Sequence, residues 1–397
     1  MAESLTEDRS VLKLLDHLYR RHLFTSRRAG KEPVYQFHAL FRAFLQHRAK
    51  TELDAGQQRH IATHAAQLLD AAGQFEDSMV LRLAAQDWTA AEELILTQAR
   101  AFIAQGRWRN VVDWIGALPE QRVEQDCWLL HWLGTAWIGV DPARARSILE
   151  RACQRATANS DVFCQVQTAA GMVEAYFLEY AVFTPLDRWI PVLERMFDSQ
   201  ICSMEPNAEL RAQSAMLIAL VYRMPDHKRI DQCVVRVDEL LRTDADVNLR
   251  VTAATHLTLY GTFTGHLQVS RRAAVLLAPL LADPAVTVFR RIFAWAVINW
   301  YACNASDASL GEQAVASNLS IAREEGMHIA ERFACILGFY LDMDQRRIDA
   351  GRHRLERFEE IMLPEQPYEA ASLVNMKAWF GVYTGDPAPP LTHGARA

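Results

Sequence analysis

The chain has 397 residues, more than one compact core accommodates, so about two or three domains or one extended array are expected. Half of the residues are apolar and 23% are charged, which excludes a disordered or fibrous chain. The net charge of -6 implies neither nucleic acid nor membrane, but it is uneven: residues 1–50 carry ten Lys or Arg against five Asp or Glu, a local +5 that leaves -11 for the rest.

Residues 6–21 are expected to form a first helix, with Leu12, Leu15, Leu18 and Tyr19 on one face and Glu7 and Asp8 near its N-terminus. Two short β segments follow at Leu23–Thr25 and Val34–Phe37, joined by a hairpin loop that holds Gly30 and Pro33. Tyr35 and Phe37 alternate with Gln36, and then Leu40, Phe41, Phe44 and Leu45 recur at helical spacing. His38 sits at this strand-to-helix junction. Helix, hairpin and helix make a winged-helix-like unit over 1–56.

From residue 57 to 385 the pattern changes to amphipathic helix pairs. Turns are expected at Gly73, Gly106, Gly139, Thr184, Pro225, Gly265, Asp307, Asp344 and Gly385, spaced about 33 residues at first and about 40 later. The second helices resemble one another: ARARSILERA (143–152), LDRWIPVLERMF (186–197), IDQCVVRVDELL (230–241), VSRRAAVLLAPLL (269–281) and RIDAGRHRLERFEEI (347–361). Such units cannot bury their apolar faces alone. They are expected to stack as a right-handed, tetratricopeptide-like α-solenoid, so the fold is mainly α. Residues 386–397 hold Ala-Pro-Pro, which does not continue a helix, and are expected to be a disordered tail at a truncation point.

Two passages carry a family resemblance: LLDHLYRRHLFTSRRAGKEPVYQFHALFRAFLQHR (14–48) and MVLRLAAQDWTAAEELILTQARAFIAQGRWRNVVDWIGALPE (79–120). Together they resemble the region that follows the ATPase core in MalT-like, LuxR-type transcriptional regulators of the STAND class. The resemblance implies a winged helix closing a nucleotide module, followed by helical repeats that sense an inducer. It implies ATP or ADP as the cofactor of the full-length family, and it places His38 at the position of a phosphate-sensing histidine. The chain holds no G-x-x-x-x-G-K-[ST] phosphate loop, no Walker B strand and no helix-turn-helix after the repeats. A nucleotide cofactor, ATP hydrolysis and direct DNA reading are therefore not expected of this polypeptide alone, and DNA would be reached indirectly.

Each candidate has a plainer structural reading. An imidazole at a helix N-terminus can donate to a phosphate beside the open amides, a bond worth about 1.5–3 kcal/mol, or it can cap its own helix. Arg27, Arg28 and Lys31 could contact phosphate or DNA as a basic wing, or form a solvated hairpin. Trp128, Trp132 and Tyr301 are the candidate groove residues for a protein partner or small-molecule inducer; filling between helices is the ordinary role of such rings. His60 and His64 lack the glutamate of H-E-x-x-H and a third ligand, so no metal is expected.

No nucleophile motif is present and no catalytic residue is named; the chain is not expected to be an enzyme. The seven scattered cysteines include no C-x-x-C pair and read as reduced, mostly buried thiols. MAESLTEDRS is too acidic for a signal peptide, and no membrane span is expected, so the reading is cytoplasmic. The leading expectation is a non-enzymatic sensor portion of a MalT-like regulator. A stand-alone repeat scaffold and a wing-based DNA binder are the alternatives.

Overall fold

The computed structural model describes residues 2–6, 8–28, 34–179, 182–197 and 205–385. The expected tail at 386–397 and the hairpin tip with Lys31 lie outside the described residues. The chain divides into two compact units, Met1–Arg100 with Arg109–Glu124, and Ala101–Trp108 with Gln125–Ala397.

The first unit opens with α1 (Ala2–Thr6) and α2 (Val11–Arg20), where one helix was expected. Asp8 is the reason for the break. Its carboxylate accepts from the Ser10 amide at 2.7 Å and the Ser10 hydroxyl at 2.8 Å, so the helix restarts at Val11. After α2, His22 and Phe24 adopt positive φ of 55° and 50°, which holds the chain out of the ladder until Thr25. Strand β1 (Thr25–Arg28) then pairs antiparallel with β2 (Val34–Phe37), Thr25 opposite Phe37 and Arg28 opposite Val34. The first strand thus lies later than expected. Helix α3 (Ala39–Glu52) follows directly.

Helices α1, α2 and α3 hold no fully buried residue. The unit closes around an aromatic group instead, Phe24, Phe37 and Phe44 all ringing Phe41 at 5.4–6.5 Å. Leu40 is 76% exposed, so half of the apolar stripe faces outward. Next come α4 (Ala55–Ala71), α5 (Phe75–Ala84), α6 (Trp88–Ala104), α7 (Trp108–Gly116) and α8 (Glu120–Gln125). Asp54 starts α4 with a capping box, its carboxylate accepting from the Gly56 and Gln57 amides. Arg82 pairs with Asp70, and Arg122 with Glu92, within this unit.

The second unit is a run of paired helices: α9 (Cys127–Trp137), α10 (Pro142–Ala158), α11 (Val162–Glu179), α12 (Ile190–Glu194), α13 (Pro206–Arg223), α14 (Ile230–Leu240), α15 (Val247–Thr264), α16 (Leu267–Leu281), α17 (Val288–Asn304), α18 (Ala308–Glu325), α19 (His328–Asp344), α20 (Ile348–Ile361) and α21 (Pro367–Thr384). Around α12 the expected helix 186–197 is broken into a 3-10 turn at Thr184–Arg188, five α residues and a second 3-10 turn at Arg195–Phe197. Pro185 and Pro191 remove two backbone donors there, and a proline ring clashes with the preceding turn.

The packing has two layers. From α9 to α21 each helix packs on its neighbours in the chain. In addition α9, α11, α13, α15, α17, α19 and α21 pack on one another, while the close packing among described residues does not run along α10, α12, α14, α16, α18 and α20. Phe177 of α11 also reaches Phe293 of α17, three inner helices further on, at 5.2 Å, which a flat layer does not allow. The odd-numbered helices therefore line the concave side. Arginines also join successive repeats. Arg211–Glu174 and Arg332–Glu369 tie inner helices, each pair 37 residues apart, and Arg188–Glu150 and Arg347–Glu312 tie outer elements 38 and 35 residues apart. Arginine suits these joints because its planar fork holds a carboxylate in one orientation.

Among the described glycines, Gly261 lies nearest to the backbone of a neighbouring element. A Cβ there would clash with the Ser270 hydroxyl and meet the His266 carbonyl at 2.7 Å and the Ser270 amide at 2.8 Å. Ser270 donates to the Thr258 carbonyl at 2.9 Å across the same gap. Gly265, the expected turn between α15 and α16, has φ of 78° but open space around it. We predict that Gly261→Ala costs about 2–3 kcal/mol by overpacking, against about 1–2 kcal/mol of backbone strain for Gly265→Ala. Urea unfolding of the two variants measures both; equal losses would contradict the close approach.

Candidate functional site

The sequence-predicted residues fall in three places. His38 is the N-cap of α3: its amide donates to the Phe24 carbonyl at 2.7 Å, and its Nδ1 accepts from the Leu40 amide at 3.4 Å. With Nδ1 accepting, Nε2 is the nitrogen left to carry a proton. The ring is exposed. Arg27 lies 3.7 Å from the Asp16 carboxylate and over the Tyr35 ring, so part of its charge is spent within the unit. Arg28 is exposed at the end of β1. Trp128 is half-buried and donates from Nε1 to Asp161 at 2.9 Å, and Trp132 is buried beside His131. Tyr301 is 7% exposed and belongs to the core of the second unit.

The concave face holds a different cluster, a hollow of about 370 Å³ lined from α11, α15, α17, α19 and α21. It lies wholly within the second unit. Phe177 of α11, Phe263 of α15, Phe293 and Trp300 of α17, Phe333 and Tyr340 of α19, and Tyr368 of α21 form its walls. The rings run edge to face: Phe177–Phe293 at 5.2 Å and 84°, Phe293–Phe333 at 6.4 Å and 80°. Trp300 is 40% and Phe263 45% exposed, so the wall is open to a ligand. Tyr301, one residue from Trp300, points into the core; helical geometry turns adjacent side chains about 100° apart. A repeat-by-repeat comparison of aromatic positions on the first helices would have found Phe293 and Phe333, which lie one repeat apart.

A polar group flanks the hollow. Glu174, one turn before Phe177, receives Arg211 at 2.8 and 3.0 Å, and Arg211 reaches His131 Nε2 at 3.2 Å. His131 Nδ1 lies 3.3 Å from the Thr168 hydroxyl, so that nitrogen carries the proton. Burial alone would raise the Glu174 carboxyl, but Arg211 and Arg290 hold it below the ordinary range. Burial pushes His256 down to about 4, against the opposing pull of the Ser214 carbonyl and Glu174. Its Nδ1 lies 3.2 Å from that carbonyl and 2.7 Å from the Ser214 hydroxyl.

Elsewhere Cys127, Asp161 and Cys164 bring three ligand-type atoms within 4.8 Å of one another. Burial raises both thiols out of the thiolate range, and the Asp161 oxygens already serve the Trp128 indole and the Cys164 amide. A metal ion there would require both thiols to lose their protons against that burial. Among the described residues no helix is long and apolar enough to cross a membrane.

His256 sets a pH dependence. Folded, it stays neutral down to about 4. Unfolded, it takes up a proton below about 6.5. Protonation thus favours the unfolded chain, and stability should fall by up to ~3 kcal/mol between pH 6.5 and 4. Urea unfolding of the wild type and His256→Gln at pH 7 and 4.5 checks this. The variant should show a flatter dependence; an equal slope would contradict the assignment.

No curated protein matches the chain. Residues 1–57 match the family model described as the MalT winged helix domain, so this part of the chain is MalT-like.

Proposed function

We propose that the protein is a non-enzymatic sensor of a MalT-like regulatory system. The helical repeats capture an inducer or a protein partner on their concave face, and the winged helix relays capture to a nucleotide-binding module of the same system. The observation that carries this reading is the aromatic hollow of the second unit, a shaped and partly exposed site of about 370 Å³ in a chain that offers no nucleophile motif. The match of residues 1–57 supports the relay. So does the surface of that unit, where Leu14, Phe24, Leu40 and Phe44 are 53–76% exposed and suit docking on another module.

Capture and relay are linked by mass action. A ligand that prefers one curvature of the stack shifts its population by the ratio of its affinities for the two states. In this reading DNA is reached through other parts of the system and not through the wing, the protein works in the cytoplasm, and His38 contacts phosphate only when the nucleotide module is docked.

Two measurements test it. Thermal unfolding of the full chain against a panel of metabolites should give at least one compound that raises the midpoint in the wild type and not in Trp300→Ala; stabilisation that survives the substitution would remove the hollow from the account. For the relay, His38→Asn retains a good N-cap while removing the imidazole. After reconstitution with the cognate nucleotide module, ADP retention should fall about 10-fold or more in this variant. Unchanged retention would leave His38 as a helix cap.

A further inference from the structure

The charges around the hollow are internally paired. Arg332 and Glu369, 12% and 9% exposed, bond at 2.7 Å, and the second Glu369 oxygen accepts from the Leu363 amide at 2.7 Å. Glu179 at the rim is held by Arg146 at 2.7 Å. An ionic ligand entering here would lose its hydration and meet no uncompensated charge. The groups that do lack partners are neutral. Among the described residues neither the Tyr340 nor the Ser372 hydroxyl has a hydrogen-bond partner, and both residues line the hollow. Ser372 is 7% exposed, yet neither hydroxyl is among the fully buried unpaired atoms, so both reach solvent within the hollow. Each hydroxyl is therefore available to bond an entering ligand in place of water.

Size separates the two occupants that capture allows. The hollow offers about 370 Å³, at the small-molecule end of binding sites. Its walls are ring faces and edges, which favour a flat π system over a branched aliphatic chain.

We propose that the hollow binds a neutral, flat aromatic small molecule that carries one hydroxyl or amine for Tyr340 and Ser372; this rests on the capture role given above. The rings of Phe293, Trp300 and Phe333 sandwich its body, and the two hydroxyls fix its polar end. Neutrality is set by the Arg332–Glu369 pair, which leaves no charge to offer.

Two probes with one ring system test this on the full chain. N-phenyl-1-naphthylamine is neutral with one N–H; 8-anilino-1-naphthalenesulfonate adds a sulfonate. Fluorescence titration should show the neutral probe saturating at one per chain and the sulfonate binding at least tenfold more weakly. Trp300→Ala, at a partly exposed position, should weaken the neutral probe at least tenfold with the far-ultraviolet circular dichroism unchanged. Tyr340→Phe, which keeps the ring, should weaken it several-fold. If the sulfonate binds equally well and Trp300→Ala abolishes that binding, the neutral class is overturned while capture in the hollow stands. If neither probe shows binding that depends on Trp300, the hollow is not a capture site, and the functional reading beneath the proposal falls with it.

Discussion

The ring of Phe177 joins four inner helices of the second unit. From α11 it touches Tyr222 of α13 at 6.0 Å, His256 of α15 at 5.1 Å and Phe293 of α17 at 5.2 Å. One side chain thus meets the next three inner helices, which is geometrically feasible only if the inner layer is strongly curved. Each edge-to-face contact is worth roughly 0.5–1.5 kcal/mol beyond burial. Truncating the ring would remove all three and leave a cavity, at a cost of about 3–5 kcal/mol. The curvature, the desolvation of His256 and the shape of the hollow all follow from this junction.

Curvature is supported differently in the two layers. The inner helices pack on each other, so their separation is fixed by side-chain volume. The outer elements are joined by ion pairs such as Arg188–Glu150 and Arg347–Glu312, whose side chains are 38–64% exposed. Exposed pairs of this kind contribute about 0–1 kcal/mol each and are screened by salt. The outer layer is therefore the compliant one. A ligand that spreads or tightens the inner aromatic wall would work against weak, reversible ties on the outside, as the proposed sensing role requires.

Much of the architecture was legible in the residues. Gly73, Gly106 and Gly265 adopt the positive φ that their turn positions imply, and Asp307 starts α18 by accepting from the Leu310 amide. The second helices at 230–241, 269–281 and 347–361 are helices within a residue or two. Local chemistry that overrides periodicity was less visible. Asp8 splits the first helix, and Pro185 and Pro191 fragment the element at 186–197. The hollow was not legible, because it depends on which inner faces converge across repeats. Trp300 and Tyr301 look alike in sequence, and the rotation of α17 decides that the first lines the hollow while the second fills the core. His38 was legible as a junction residue, and the structure adds its cap and the availability of Nε2.

The central claim is that the concave wall around Trp300 is the surface that senses a ligand. Fluorine NMR of the full chain labelled with 5-fluorotryptophan tests it most directly, with Trp300→Phe, Trp128→Phe and Trp132→Phe supplying assignments. On addition of N-phenyl-1-naphthylamine the account predicts that the Trp300 resonance shifts while those of Trp128 and Trp132 stay in place. Shifts at Trp128 or Trp132 with Trp300 unmoved would contradict it.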